Sequence, residues 1–178
     1  ITLHSQGKIS EALRYYEYCI NQGFKNQNIF SNCGAILQGL GRLQEAEVSY
    51  RKALELDPEF VNAHFNLGNL LYKLGRLQEA EVSYRKVLEL DPKFVNAHSN
   101  LGNLLYKLGR LQETEVSYRK ALELDPDFVI VYLNLGNVLR DLRKLKEAEV
   151  SYRKALELDP DFVESHSNLG IISAELGK

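Results

Sequence analysis

Residues 61–94 read VNAHFNLGNLLYKLGRLQEAEVSYRKVLELDPKF. Two apolar stripes with helical spacing lie within this stretch. His64, Leu67, Gly68 and Leu71 fall at i, i+3, i+4 and i+7, one face of a helix over about 61–74. Gly75 breaks that helix, because glycine readily takes the left-handed conformation of a C-terminal cap. Leu77, Ala80, Tyr84 and Val87 form the buried stripe of a second helix over about 77–90. Asp91-Pro92 stops it: proline cannot donate the next helical hydrogen bond and restricts the residue before it. Gly68 and Ala80 are small enough to let the two helices approach closely, and Tyr84 fills the space alongside.

The same hairpin recurs on both sides. Residues 95–128 differ from 61–94 at four places, Phe65/Ser99, Ala80/Thr114, Val87/Ala121 and Lys93/Asp127. The four prolines, Pro58, Pro92, Pro126 and Pro160, are each 34 residues apart, and Tyr50, Tyr84, Tyr118 and Tyr152 keep the same step. A fixed period of this size is the signature of stacked supersecondary units. The complete repeats are expected at 27–60, 61–94, 95–128 and 129–162. A partial repeat, 1–26, precedes them, with Gly7, Ala12 and Tyr16 in register, and another, 163–178, carries a first helix only. Ile171, Ile172 and Leu176 on that last helix are expected to await a cover from further repeats, another domain or a neighbouring molecule.

Phe30, Gly34, Leu37, Gly41, Ala46, Tyr50, Ala53 and Pro58 together resemble the signature of the tetratricopeptide repeat (TPR), and the resemblance covers essentially the whole chain. It implies an all-α fold: a right-handed superhelical solenoid of antiparallel helix pairs, with first helices on the concave surface and second helices on the convex one. Each repeat then buries its apolar face only against its neighbours. Some positions depart from the signature. Thr114 stands for the small alanine, Arg143 for the inter-helix glycine, Gly23-Phe24 for Asp-Pro and Cys19 for alanine. These departures are expected to loosen individual repeats, above all the first join.

If positions 4, 7, 8 and 11 of a repeat pack inward, positions 2, 6, 9 and 13 share the other stripe of the first helix. Position 6 is Asn32, Asn66, Asn100, Asn134 and Asn168; position 9 adds Asn69, Asn103 and Asn137; position 2 adds Asn28, Asn62 and Asn96. A carboxamide offers both a donor and an acceptor, as a peptide group does. The ladder is therefore suited to grip an extended peptide backbone without reading its sequence. It is similar to the asparagine ladder of the TPR region in O-linked N-acetylglucosamine transferases. A second reading also stands, in which these amides bond neighbouring helices. Ile130 and Leu133 in the fourth repeat, Phe65 in the second, and Tyr72 and Tyr106 one turn along are expected to supply apolar contacts for a partner's side chains. Lys73 and Lys107 give way to Asp141, so the groove changes sign. TPR domains that clamp two carboxylates need basic residues at positions 2 and 6. Those positions here hold Asn, Ile130 or Glu164, so a chaperone C-terminal tail is not the expected ligand.

Nothing in the sequence points to catalysis, a metal or a cofactor. No Walker A, G-x-S-x-G, H-E-x-x-H or C-x-x-C pattern occurs. His64, His98 and His166 share position 4 and are expected to pack between helices. The pairs Glu47/Arg51, Glu81/Arg85, Glu115/Arg119 and Glu149/Arg153 stand at i, i+4, the favourable order for helical ion pairs on a solvated outer face. A net charge of -2 gives no electrostatic pull toward nucleic acid or an anionic membrane. Two cysteines and no N-x-S/T sequon fit a reducing, cytoplasmic setting. The expected function is a protein-interaction scaffold. Two alternatives remain, a substrate-presenting arm of a larger transferase and a module that self-associates through its repeat ends.

Overall fold

The computed structural model describes residues 8–177, so Gly7 of the first partial repeat lies outside the described residues. Ten helices occur among them: α1 Ile9–Asn21, α2 Gln27–Gly39, α3 Leu43–Leu56, α4 Val61–Lys73, α5 Leu77–Leu90, α6 Val95–Lys107, α7 Leu111–Leu124, α8 Val129–Asp141, α9 Leu145–Leu158 and α10 Val163–Glu175. The chain forms an all-α repeat array that divides at Pro92/Lys93 into two compact bodies. In the N-terminal body α1 packs on α2, α2 pairs with α3, α3 with α4, and α4 with α5. In the C-terminal body α6 pairs with α7, α8 with α9, and α10 packs on α9 and α8. No described helix is long and apolar enough to cross a membrane.

The close approach inside each hairpin has one cause. A Cβ added to Gly34, Gly68 or Gly102 would stand 2.7, 2.8 or 2.5 Å from the ring of Tyr50, Tyr84 or Tyr118. Gly136 faces Tyr152 in the same way, and all four tyrosines are buried. Ala46, Ala80 and Ala148 are fully buried beside them. Thr114, at the equivalent position, is fully buried too; its hydroxyl donates to the Arg110 carbonyl at 2.9 Å and so has a partner inside the helix.

Turns explain the helix ends. Gly41, Gly75 and Gly109 have φ of 77°, 77° and 74°, and Arg143 takes φ 62° at the same place. Lys144 N–H donates to the Leu139 carbonyl and Arg143 N–H to the Arg140 carbonyl, each at 2.8 Å, so the cap forms without glycine. At Asp-Pro turns the aspartate holds the chain: Asp57 Oδ1 accepts from Glu59 N–H at 3.0 Å, and Asp125 and Asp159 repeat the bond. The first join is built differently. Gly23, φ 81°, caps α1 through Phe24 N–H to the Cys19 carbonyl, and Asn26 Oδ1 caps α2 by accepting from Asn28 N–H at 2.9 Å. Gly23-Phe24 therefore replaces the Asp-Pro terminator with another closed turn.

Two expectations about the polar residues are corrected, the first in part. His64 is half-buried between helices, lining a cavity with Leu54 and Leu67, whereas His166 is exposed. Their Nε2 atoms donate to the Pro58 and Pro160 carbonyls at 2.9 and 2.8 Å, pinning the preceding turn. The glutamates of the i, i+4 pairs are not on a solvated face. Glu115 and Glu149 have side chains only 11% and 6% exposed. Glu47 accepts from Arg51 at 2.7 Å and from Arg76 of the next repeat at 2.8 Å; Glu115 accepts from Arg119 and from Lys144 of the next repeat. Each of these two carboxylates clamps its helix to the following inter-helix loop. Ile172, expected to lie uncovered, is fully buried in the core of the C-terminal body with Val138, Leu139 and Tyr152.

Candidate binding face of the first helices

Each asparagine stripe is set by the helix it rides on. Positions 2, 6, 9 and 13 fall within a narrow sector of a 3.6-residue helix. In the N-terminal body Asn32 and Asn66 are half-buried on α2 and α4, and Asn28 and Asn62 are exposed. The Tyr84 hydroxyl donates to Asn69 Oδ1 at 2.8 Å. The first complete repeat has Ala35 at position 9, and there the Tyr50 hydroxyl donates to Gln38 Oε1 at 3.0 Å. Gln38 is the residue the sequence pattern missed; the absence of an asparagine at position 9 was the available signal.

In the C-terminal body the amides form a chain of bonds between helices. The Tyr118 hydroxyl donates to Asn103 Oδ1 at 2.7 Å, and Asn134 Nδ2 donates to the same oxygen at 3.2 Å. One repeat on, the Tyr152 hydroxyl and Asn168 Nδ2 donate to Asn137 Oδ1 at 2.8 and 3.0 Å. Asn103 and Asn137 thus use both lone pairs of the carbonyl inside the protein, and Asn134 and Asn168 use an amide N–H. Asn103 and Asn137 keep their Nδ2 donors, and Asn134 and Asn168 their Oδ1 acceptors. None of these atoms has a hydrogen-bond partner among the described residues. Burial pushes the Tyr152 hydroxyl up to about 12, so it stays a donor at neutral pH.

The apolar candidates divide. Ile130 is 43% exposed at position 2 of α8. Leu133 is only 7% exposed and belongs to the core of the C-terminal body, so it is not an exposed anchor. Position 5 lies at the edge of the stripe, where the neighbouring helix covers it. Phe65, also at position 5, is half-buried with its ring 6.2 Å from that of Tyr84. Tyr72 is half-buried, whereas Tyr106 is 40% exposed and donates its hydroxyl to Asp141 Oδ2 on α8 at 2.6 Å. That hydrogen bond, then burial, pushes the Tyr106 hydroxyl up. Lys73, Lys107 and Asp141 are all exposed at position 13.

Two cavities lie away from this face. A cavity of about 450 Å³ in the N-terminal body is lined by Leu54, Leu67, Leu71 and Val82, and one of the same size in the C-terminal body by Leu122, Leu135 and Val150. Both lie toward the second helices and include no stripe asparagine. Among the described residues no group of three or more His, Cys, Asp or Glu side chains could hold a metal ion.

The hairpin geometry and its 34-residue step are those of a known family. The family described as "TPR repeat" matches residues 39–75 and 68–109, and the one described as "Tetratricopeptide repeat" matches 95–128 and 129–162. The chain belongs to the tetratricopeptide-repeat family. Solved TPR structures of similar fold include YrrB, described as "a TPR protein with an unusual peptide-binding site", at TM-score 0.81 and 23% identity over 91% of this chain and 84% of that one. MamA from Desulfovibrio magneticus RS-1 superposes with TM-score 0.83 at 24% identity, over 90% of this chain and 91% of that one. Pseudomonas aeruginosa pilF does so with TM-score 0.74 at 26% identity, over 84% and 68%. A search of curated proteins finds no match. At these identities the first two neighbours speak to the TPR fold alone.

Proposed function

We propose that this TPR protein is an interaction scaffold whose first-helix face holds an extended peptide or unfolded segment of a partner by its backbone. The observation that carries the reading is the division of labour at Asn103/Asn134 and Asn137/Asn168. Internal bonds fix the orientation of each amide, and a donor at position 9 is left beside an acceptor at position 6. A peptide group needs that pairing. Amides held in advance also lose little side-chain freedom on binding, which is the usual advantage of preorganisation. YrrB, a TPR protein described as having a peptide-binding site, shares the fold, which is in keeping with this reading.

The test is an array of extended peptides probed with wild type and with the double variant Asn103→Asp/Asn137→Asp. Aspartate keeps the oxygen that the tyrosines and position-6 amides bond, and replaces each Nδ2 donor with a charged oxygen acceptor. Captured peptides should be lost from the variant. Equal capture by both proteins would sink the reading.

A further inference from the structure

Ile130 and Glu164 occupy the same position of consecutive first helices, α8 and α10, and both are exposed. The complete repeats before them carry Asn28, Asn62 and Asn96 there. A single exposed isoleucine on a surface needs no explanation. This one stands at a position that is asparagine in the three complete repeats before it, and the same position of the next first helix holds a carboxylate that makes no ion pair or hydrogen bond among the described residues. The other acids of this face each have a cation nearby: Asp141 lies 3.9 Å from Arg140 Nε and Glu175 3.5 Å from Arg143 Nη1. Glu164 is the acid of this face without an ion pair among the described residues. It also sits in the first turn of α10, where an acid favours the helix dipole, a role that affects stability and not ligand choice.

We infer that the C-terminal body selects a partner segment with an apolar side chain seated on Ile130 and a basic side chain opposite Glu164. The inference rests on the backbone-gripping function proposed above and adds sequence preference to it. Packed helix axes stand roughly 8–10 Å apart. A polyproline II segment returns to the same face every three residues, after about 9 Å. A β-strand does so only near 7 or 13 Å. The segment is thus extended in the polyproline II manner, with the apolar and basic residues three apart in either chain direction. Asn134 and Asn168 follow one turn, about 6 Å, further along α8 and α10, and Asn137 about two turns further, next to the segment's path.

The experiment is selection of a random-peptide phage library on wild type, Ile130→Asn and Glu164→Lys. Circular dichroism melting of both variants checks that the two exposed substitutions leave the fold intact. Wild type should enrich apolar–basic pairs at i, i+3. Glu164→Lys should exchange the basic residue for an acidic one and weaken wild-type-selected peptides at least about tenfold, as a like-charge contact requires. Ile130→Asn should lose the apolar preference. Wild-type peptides without the pair that still fail to bind Asn103→Asp/Asn137→Asp would overturn this inference and leave the backbone grip standing. Failure to enrich any peptide, or peptides indifferent to that double variant, would overturn both.

Discussion

The Tyr152 hydroxyl donates to Asn137 Oδ1 at 2.8 Å, joining the second helix of a repeat to the polar face of its first. That same oxygen takes a second bond from Asn168 at 3.0 Å. A tyrosine placed to fill the gap above Gly136 therefore also orients a surface amide. Core packing and the candidate binding face are one construction. Tyr152→Phe keeps the ring and removes the bond. It should lower stability by about 1 kcal/mol, the usual net worth of such a bond, and weaken peptide binding as well. Chemical denaturation and a binding titration of the variant check both effects; a stability loss with unchanged affinity would separate the two roles.

Position 8 makes a sharper case, because the same substitution should change sign along the chain. Gly136→Ala would drive a methyl group into the Tyr152 ring and should destabilise by about 1–3 kcal/mol, although alanine is the better helix former. A methyl group added at Gly170 would meet nothing within 4 Å, so Gly170→Ala should stabilise by about 0.5–1 kcal/mol. Thermal melting of the two single variants decides it.

Arg143 pays the cost of a left-handed backbone, φ 62°, that glycine bears in other repeats. Its contact with Glu175 is 3.5 Å long and solvent-exposed, so little holds it there in return. Arg143→Gly should raise stability by about 0.5–1 kcal/mol after allowing for the freer unfolded chain. A drop in melting temperature would mean that the arginine contributes through some other contact.

Much of this was legible in the sequence because duplication left the 34-residue step almost unblurred. Gly34, Gly68, Gly102 and Gly136 recur with their tyrosines, and a helical wheel places the first-helix asparagines on one stripe. What the wheel cannot give is the distance to the next helix. Leu133 and Phe65 share a position that neighbouring side chains cover. Glu47 and Glu115 looked solvated because the residues that cover them, Arg76 and Lys144, lie 29 positions away in the next repeat. The same ignorance hid which half of each amide is used internally.

Those glutamates give the array a pH signature. Burial alone would push the carboxyls of Glu47 and Glu115 up, but hydrogen bonds from Arg51 and Arg76, and from Lys144 and Arg119, outweigh it and hold both below the usual value. Folding therefore favours the ionised forms. Their contribution is full above the unfolded pKa near 4.3 and is lost as pH falls through the lowered folded values. Melting temperature should decline below about pH 4, and Glu115→Gln should flatten part of that decline. An unchanged slope in the variant would show that the clamp does not contribute.

The most direct measurement is a calorimetric titration of the strongest array peptide into wild type and into Asn103→Asp/Asn137→Asp, with the melting curve of each protein. Loss of two donors, each worth about 1 kcal/mol, should weaken binding at least about tenfold. Melting should stay nearly unchanged, because Tyr118 and Tyr152 keep their acceptors. Equal affinity in the two proteins would contradict a backbone grip by these amides and leave them as mortar between helices.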